Sequence, residues 1–334
     1  AFGYLGKYYE DVNQYENAFN LTRKAVFFAQ QGYFPEILYK WQWQMGRLAA
    51  QKGDSDLAIE MYSNAINTLN PVRTEFYYGY RGRKNFFDED IKPVFLELAG
   101  LFLDNEKLRK AGDIVDILKK AQLQDFYRDE CLGTMEQEQT ESRAEIPSHT
   151  AVIYPIPMKN HLSVLLMFSN TMKQFRVPVN SQNLNKTAKR FRQTLEQWND
   201  DYNADAINLY DWLIKPLEKD LKSQNIKTLI IAPEGPLCLI PFSALHDGKV
   251  FLIEKYALGT IPAISLANAG HMQYKKTKIL LNGLSSAAPG RVPLKGVHKE
   301  LMSIQKLMGG KILLDNDFTI ENLETEIEQN DYKI

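Results

Sequence analysis

Apolar and small residues recur at helical spacing through the first third of the chain. Leu5-Gly6, Tyr9, Ala18 and Ala25 are followed by Met45-Gly46, Ala58, Tyr62 and Ala65; Gly6 and Gly46, Ala18 and Ala58, and Ala25 and Ala65 are each 40 residues apart. A more divergent set, Leu98-Ala99, Ala111, Val115 and Leu118, places Ala99 53 residues after Gly46. Small residues at such positions let antiparallel helices approach closely. Gly32-Tyr33 and Gly53-Asp54 sit where turns between helices belong. The pattern predicts a helical-repeat array over residues 1–130. The third unit is lengthened by Pro71–Asp90, a segment rich in Tyr, Arg and Phe.

The polar stretch Met135–Ser148 then reads as linker, within 131–149. From residue 150 the pattern turns to strands and helices, and 150–334 is expected to be one α/β domain. Thr150–Tyr154, His161–Phe168 and Met172–Val179 read as strands, with a turn at Ser169-Asn170-Thr171. Asn183–Trp198 and Ala204–Leu221 read as helices; Leu209, Trp212, Leu213 and Leu217 of the second are expected core, with an interruption at Pro216. Leu229–Ala232 suits a strand buried on both faces, ended by Pro233, Gly235 and Pro236. A second apolar run, Leu237–Phe242, follows; Asp247-Gly248 marks a turn, and Phe251–Leu258 reads as extended.

Beyond Lys276 come a strand at Lys278–Asn282, a helix at Leu294–Met308 capped by Gly309-Gly310, and a strand at Lys311–Leu314. Thr319 should N-cap a helix over Ile320–Glu328, and Asp331–Ile334 looks like the start of a third strand. Alternating strands and helices predict a mostly parallel sheet.

Composition narrows the function classes. The chain has 334 residues, 44% hydrophobic and 24% charged, with a net charge of −1. That balance argues for no nucleic-acid or membrane surface. No 18-residue apolar run marks a membrane helix, and no signal peptide is read. Two cysteines, Cys131 and Cys238, make no disulfide framework and fit a reducing cytoplasm. The chain begins at Ala1 inside a helical pattern and stops inside a strand pattern, so a longer protein is expected.

Chemistry is sparse. The five histidines, His149, His161, His246, His271 and His298, include none followed by Gly. Cys238, inside the apolar run LCLIPF, is expected to be a buried, inert thiol, and Cys131 incidental. His246-Asp247 could suggest a dyad, but the turn with Gly248 explains Asp247. No metal-ligand spacing and no phosphate-cradling glycine loop is present, so no metal or cofactor is expected.

The order of the residues says more than their types. The run PEGPLCLIPFSALHDGKVFLIEKY, Pro233 to Tyr256, resembles the middle of the CHAT domain, a caspase-like domain found attached to TPR repeats. A second run, GGKILLDNDFTIEN from Gly309 to Asn322, continues the resemblance. The helical array is likewise similar to TPR units, although its 40-residue spacing exceeds their usual ~34. The resemblance implies a caspase-like α/β fold and, in active members, a cysteine peptidase using a His–Cys pair. In the family's strand order that His and Cys fall beyond Ile334, so these residues are expected to contain no catalytic group. The resemblance also implies protein partners: a substrate or regulatory protein held by the TPR groove, and a larger defence complex in some members.

Two sets of site residues follow. Gly283–Arg291 leaves the carboxyl end of a predicted parallel strand, where ligand sites of such sheets lie. By the resemblance this loop borders the substrate site, making Ser285, Ser286 and Arg291 rim candidates; an ordinary solvated loop is the alternative. For partner binding the aromatic and basic residues Tyr39, Trp41, Trp43, Tyr77, Tyr78, Arg81 and Arg83 are candidates, with Tyr77, Tyr78, Arg81 and Arg83 preferred because loops on a scaffold often carry function. Trp41 and Trp43 are expected to pack between helices. A regulated cysteine peptidase and a catalytically silent scaffold both fit.

Overall fold

The computed structural model describes residues 1–72, 87–127, 146–169, 171–197, 202–266, 278–286, 292–330 and 332. Two compact units divide the chain, Ala1–Asn268 and Ala269–Ile334.

The first unit opens with three helical hairpins: α1 (Phe2–Asp11) with α2 (Tyr15–Gln31), α3 (Pro35–Gln51) with α4 (Ser55–Leu69), and α5 (Lys92–Asp104) with α6 (Leu108–Tyr127). The expected small residues make the close contacts. Ala18, Ala58 and Ala111 are fully buried. A Cβ on Gly6 would lie 2.6 Å from Thr22 Oγ1, and one on Gly46 3.0 Å from the Tyr62 ring. The turns repeat as well. Seven residues after Gly6, Gly46 and Ala99 stand Asn13, Gly53 and Glu106, each with positive φ. In each turn the next amide bonds back five residues: Gln14 N to Tyr9 O, Asp54 N to Ala49 O and Lys107 N to Phe102 O. That is the left-handed helix ending that Gly adopts without strain. The side chain of Asp54 then accepts from Leu57 N at 3.1 Å and caps α4.

A five-stranded sheet follows, in the order β3-β2-β1-β4-β5, from β1 (Thr150–Pro157), β2 (Leu162–Phe168), β3 (Thr171–Val177), β4 (Thr228–Ile231) and β5 (Ala257–Thr260). Its inner strands are buried on both faces. Ala151 and Ile153 join a core with Leu184, Ala188 and Phe191 of α7 (Ser181–Glu196) and Leu209, Tyr210 and Leu213 of α8 (Tyr202–Leu213). Val152, Tyr154 and Ile156 point the other way, into a core built with Phe95, Leu98, Ala111 and Leu118 of the third hairpin. The helical array is thus one covering layer of the sheet, and α7 and α8 are the other. Pro216 does interrupt the second predicted helix: a short 3-10 turn at Lys215–Leu217 separates α8 from α9 (Glu218–Ser223).

The sheet is mixed, not mostly parallel. β1 pairs antiparallel with β2, and β2 with β3, while β1–β4 and β4–β5 are parallel. Connection length decides each direction. The four residues Met158–His161 and the two residues between Phe168 and Thr171 are connections too short to do anything but reverse the chain, whereas α7 to α9 form a crossover that returns it parallel. A second correction concerns Phe251–Leu258. Leu252–Lys255 is a single helical turn, closed by Glu254 accepting from Phe251 N at 2.7 Å, and the strand is Ala257–Thr260.

The second unit has β6 (Leu280–Gly283), α10 (Val297–Met308), β7 (Lys311–Leu314) and α11 (Ile320–Gln329). β6 and β7 are parallel, and Lys278 bridges to Tyr332 in the parallel sense, where the third strand was expected. Thr319 caps α11, accepting from Asn322 N at 3.2 Å. Gly309 and Gly310 both have positive φ at the end of α10, and a Cβ on Gly310 would press against the Ile279 carbonyl.

Candidate functional site

Three polar centres occupy the places where the fold ends strands or leaves a groove. The first lies at the carboxyl ends of β6 and β7. Gly283 pairs with Leu314, so the next residues of both strands emerge side by side. Asp315, with φ +51°, turns its carboxylate onto the candidate loop. It accepts from Ser285 N and Oγ at 2.5 Å each, and from Ser286 N and Oγ at 2.9 and 3.0 Å. The Ser285 hydroxyl bond, then the Ser286 and Ser285 amides, hold the Asp315 carboxyl well below the ordinary carboxylate range. Ser285 and Ser286 are therefore brought together, with their hydroxyls committed to Asp315. Arg291 lies outside the described residues.

The second centre surrounds the exit of β4. Asp116, Lys119 and Gln122 lie three residues apart on α6, hence on one face. Lys119 Nζ is buried and donates to Ala232 O at 2.9 Å and to Pro233 O. Gln122 Nε2 donates to Glu234 Oε1 at 3.1 Å; Asp116 Oδ1 accepts from Ile264 N at 2.8 Å. Glu234 is 2% exposed and pairs with Lys92 Nζ of α5 at 2.6 Å. Burial lowers the pKa of Lys119, and the neighbouring Glu234 opposes that shift. Sequence reasoning missed this centre, although polar residues at i, i+3 and i+6 on a helix expected to be packed were a usable signal.

The polar residues of the Pro233–Tyr256 run are held by its own loops. Asp247 Oδ1 accepts from Lys249 N and Val250 N, both at 2.9 Å, as a turn requires. Lys255 donates to Asp247 at 2.6 Å, Tyr210 OH at 2.7 Å and Glu218 at 3.2 Å. Gly248 N donates to His246 Nδ1 at 3.2 Å, which leaves the Nε2 proton for Asn203 Oδ1, also at 3.2 Å. His246 and Asp247 make no dyad with each other.

Cys238 departs from expectation: it is exposed, not buried. Pro236 and the 3-10 turn Gly235–Leu239 swing this part of the apolar run out of the sheet. Its sulfur still turns inward to Pro233 O at 3.5 Å, and that burial raises the thiol pKa while nearby Lys119 pulls it down. The described imidazoles are engaged elsewhere or exposed: His149 with Asn225 O, His161 with Ser163 Oγ, His246 with Asn203, and His298 on the surface of α10. Cys131 and His271 lie outside the described residues.

The third centre is a groove of about 680 Å³ across the array, where α1, α3 and α5 end. Asp11, Gln51 and Asp104, equivalent in the repeat, all line it, and Met158-Lys159 of the β1–β2 turn complete its wall. On its floor Arg47 forks onto Glu10, Nε to Oε1 at 2.7 Å and Nη2 to Oε2 at 2.9 Å, with its guanidinium 4.7 Å from the Trp43 ring centre. Burial disfavours that cation, but the fork onto Glu10 together with the charges of Glu10 and Glu97 outweighs it and holds Arg47 above its ordinary pKa. Glu97 Oε2 accepts from Trp43 Nε1 at 2.9 Å and Tyr62 OH at 2.7 Å. Burial, with Glu97 adding to it, pushes the Tyr62 phenol far above its ordinary pKa.

Tyr39 and Trp41 are buried between helices, and Trp43 serves the groove floor through Glu97. Tyr77, Tyr78, Arg81 and Arg83 lie outside the described residues. Among the described residues no helix is long and apolar enough to cross a membrane, and no cluster of three His, Cys, Asp or Glu gathers as a metal site would. No curated protein matches the chain. Residues 203–334, from α8 to the end of the chain, match the model of the CHAT domain family.

Proposed function

We propose that this chain is the recruiting and framework portion of a CHAT-type, caspase-like cysteine endopeptidase. Its TPR-like hairpins hold a protein substrate or regulatory protein, and the cytoplasm is its compartment. The observation that carries the reading is the CHAT match over residues 203–334, which includes the Gly309–Asn322 run and the paired parallel strands β6 and β7. The loop holding Ser285 and Ser286 at the carboxyl ends of those strands is the proposed substrate rim, with Arg291 as its third member. Tyr77, Tyr78, Arg81 and Arg83 remain proposed partner contacts, and a larger defence complex is a proposed setting. On this reading the His–Cys pair falls outside these 334 residues. A catalytically silent scaffold is the second reading: Cys238, the one cysteine among the described residues, has a carbonyl partner and no imidazole, which fits both.

The test is to map new protein N termini in a cell lysate treated with the full natural protein. The peptidase reading expects cleavage that thiol alkylation abolishes and that Cys238→Ala leaves intact. No cleavage with the partner bound selects the scaffold, and cleavage that survives alkylation overturns the cysteine mechanism. Cleavage lost in Cys238→Ala with the fold preserved would assign the chemistry to Cys238.

A further inference from the structure

We infer that the groove across α1, α3 and α5 selects an extended peptide segment carrying a basic side chain, whose cation seats against Glu97. This deepens the recruitment reading and rests on it.

The argument is one of charge placement. Two carboxylates, Glu10 and Glu97, reach the groove floor, and one guanidinium, Arg47, stands near them. Arg47 is spent on Glu10 by a bidentate fork, the strongest geometry an arginine has with a carboxylate. Glu97 takes its hydrogen bonds from neutral donors, the Trp43 indole and the Tyr62 hydroxyl, and Arg47 acts on it through space without bonding it. Both bind Oε2, and among the described residues no cation lies within ion-pair distance of either Glu97 oxygen. At the rim, Asp11 is matched by Lys7 and Asp104 by Arg176. The groove carboxylate without an ion pair among the described residues is therefore Glu97, half-buried on the floor. There a cation is screened less than at the surface.

The remaining lining fits a peptide better than a compact apolar ligand. Gln51, Asn13 and Tyr15 offer backbone-complementary amide and hydroxyl groups, whereas small-ligand pockets are mostly apolar. Lys159, exposed on the β1–β2 turn and outside any ion pair among the described residues, is the competing cation. It stands at the mouth on a long, solvated stem, so a ligand can displace it.

Calorimetric titration of the 334-residue chain tests this with acetylated, amidated heptapeptides of Gly, Ser and Ala carrying one central Arg, Gln or Glu. The Arg peptide should bind, weaken as salt rises, and exceed the Gln and Glu peptides. Glu97→Gln keeps an acceptor for Trp43 and Tyr62, and should weaken the Arg peptide by about ten-fold or more. Lys159→Glu should tighten it. If Glu97→Gln fails to fold, the Lys159→Glu and salt measurements decide. Equal binding of Arg and Glu peptides, or no effect of these variants, overturns the charge rule and leaves recruitment standing. Absence of binding by any peptide sinks both.

Discussion

Lys119 of α6 donates its ammonium to the main-chain carbonyl of Ala232, 2.9 Å away, at the point where β4 leaves the sheet. A helix of the array thus holds the first loop of the Pro233–Tyr256 run by its backbone, and Glu234 two residues on binds Lys92 and Gln122 of the same hairpin. Buried polar contacts thus tie the third hairpin to that loop, and such contacts have few alternative arrangements.

Lys119→Met should therefore lower stability by about 2 kcal/mol, the scale of a lost charged hydrogen bond. Glu234→Ala should cost about 3 kcal/mol, because it breaks the pair with Lys92 and takes the neighbouring negative charge from the buried Lys119. Urea melts measure both. In Lys119→Met, amide exchange around Ala232–Gly235 should quicken beyond the global change; uniform quickening would show that the contact is not a local clamp.

The repeat register makes a packing prediction. Gly46 faces the Tyr62 ring at a distance that admits no larger side chain. Gly46→Leu should cost about 1–3 kcal/mol by overpacking and disturb the Tyr62–Glu97 bond. Wild-type stability in that variant would contradict the register.

Glu106 predicts a gain. It holds φ +57° at the turn position that Gly53 occupies in the second hairpin. A left-handed backbone costs a non-glycine residue about 1 kcal/mol. Glu106→Gly should recover part of this, and calorimetry should find a melting temperature higher by a few degrees at most, since glycine also loosens the unfolded chain.

Asp315 carries the pH dependence. Its folded-state carboxyl titrates below the ordinary value of 3.8, so its contribution is complete above that value. The contribution is lost as pH falls through the lower folded-state value, when protonation weakens acceptance from Ser285 and Ser286. Exchange protection of the Ser285 and Ser286 amides should therefore hold at pH 5 and above and decline in strong acid. Asp315→Asn should remove that acid dependence, and protection that ignores both changes would refute it.

What the sequence determined by itself is local. The 40- and 53-residue offsets of small residues place three hairpins correctly, because a Gly or Ala at a helix crossing is needed wherever the neighbours are close. Apolar runs likewise mark β1, β2 and β4, and Thr319 caps α11 through the backbone three residues on. Partner choice was not local. Short connections set β1 against β2 and β2 against β3, but the parallel partner of β1 is a strand 78 residues on, as between Ile153 and Ile231. Cys238 lies in an apolar run and is nonetheless exposed, because burial belongs to a position in space and Pro236 carries the chain out of the sheet. Lys119, Glu97 and Asp315 are ordinary charged residues in the sequence. Their importance arises only when folding sets each beside groups it must satisfy: two carbonyls, an indole and a phenol, a pair of serines.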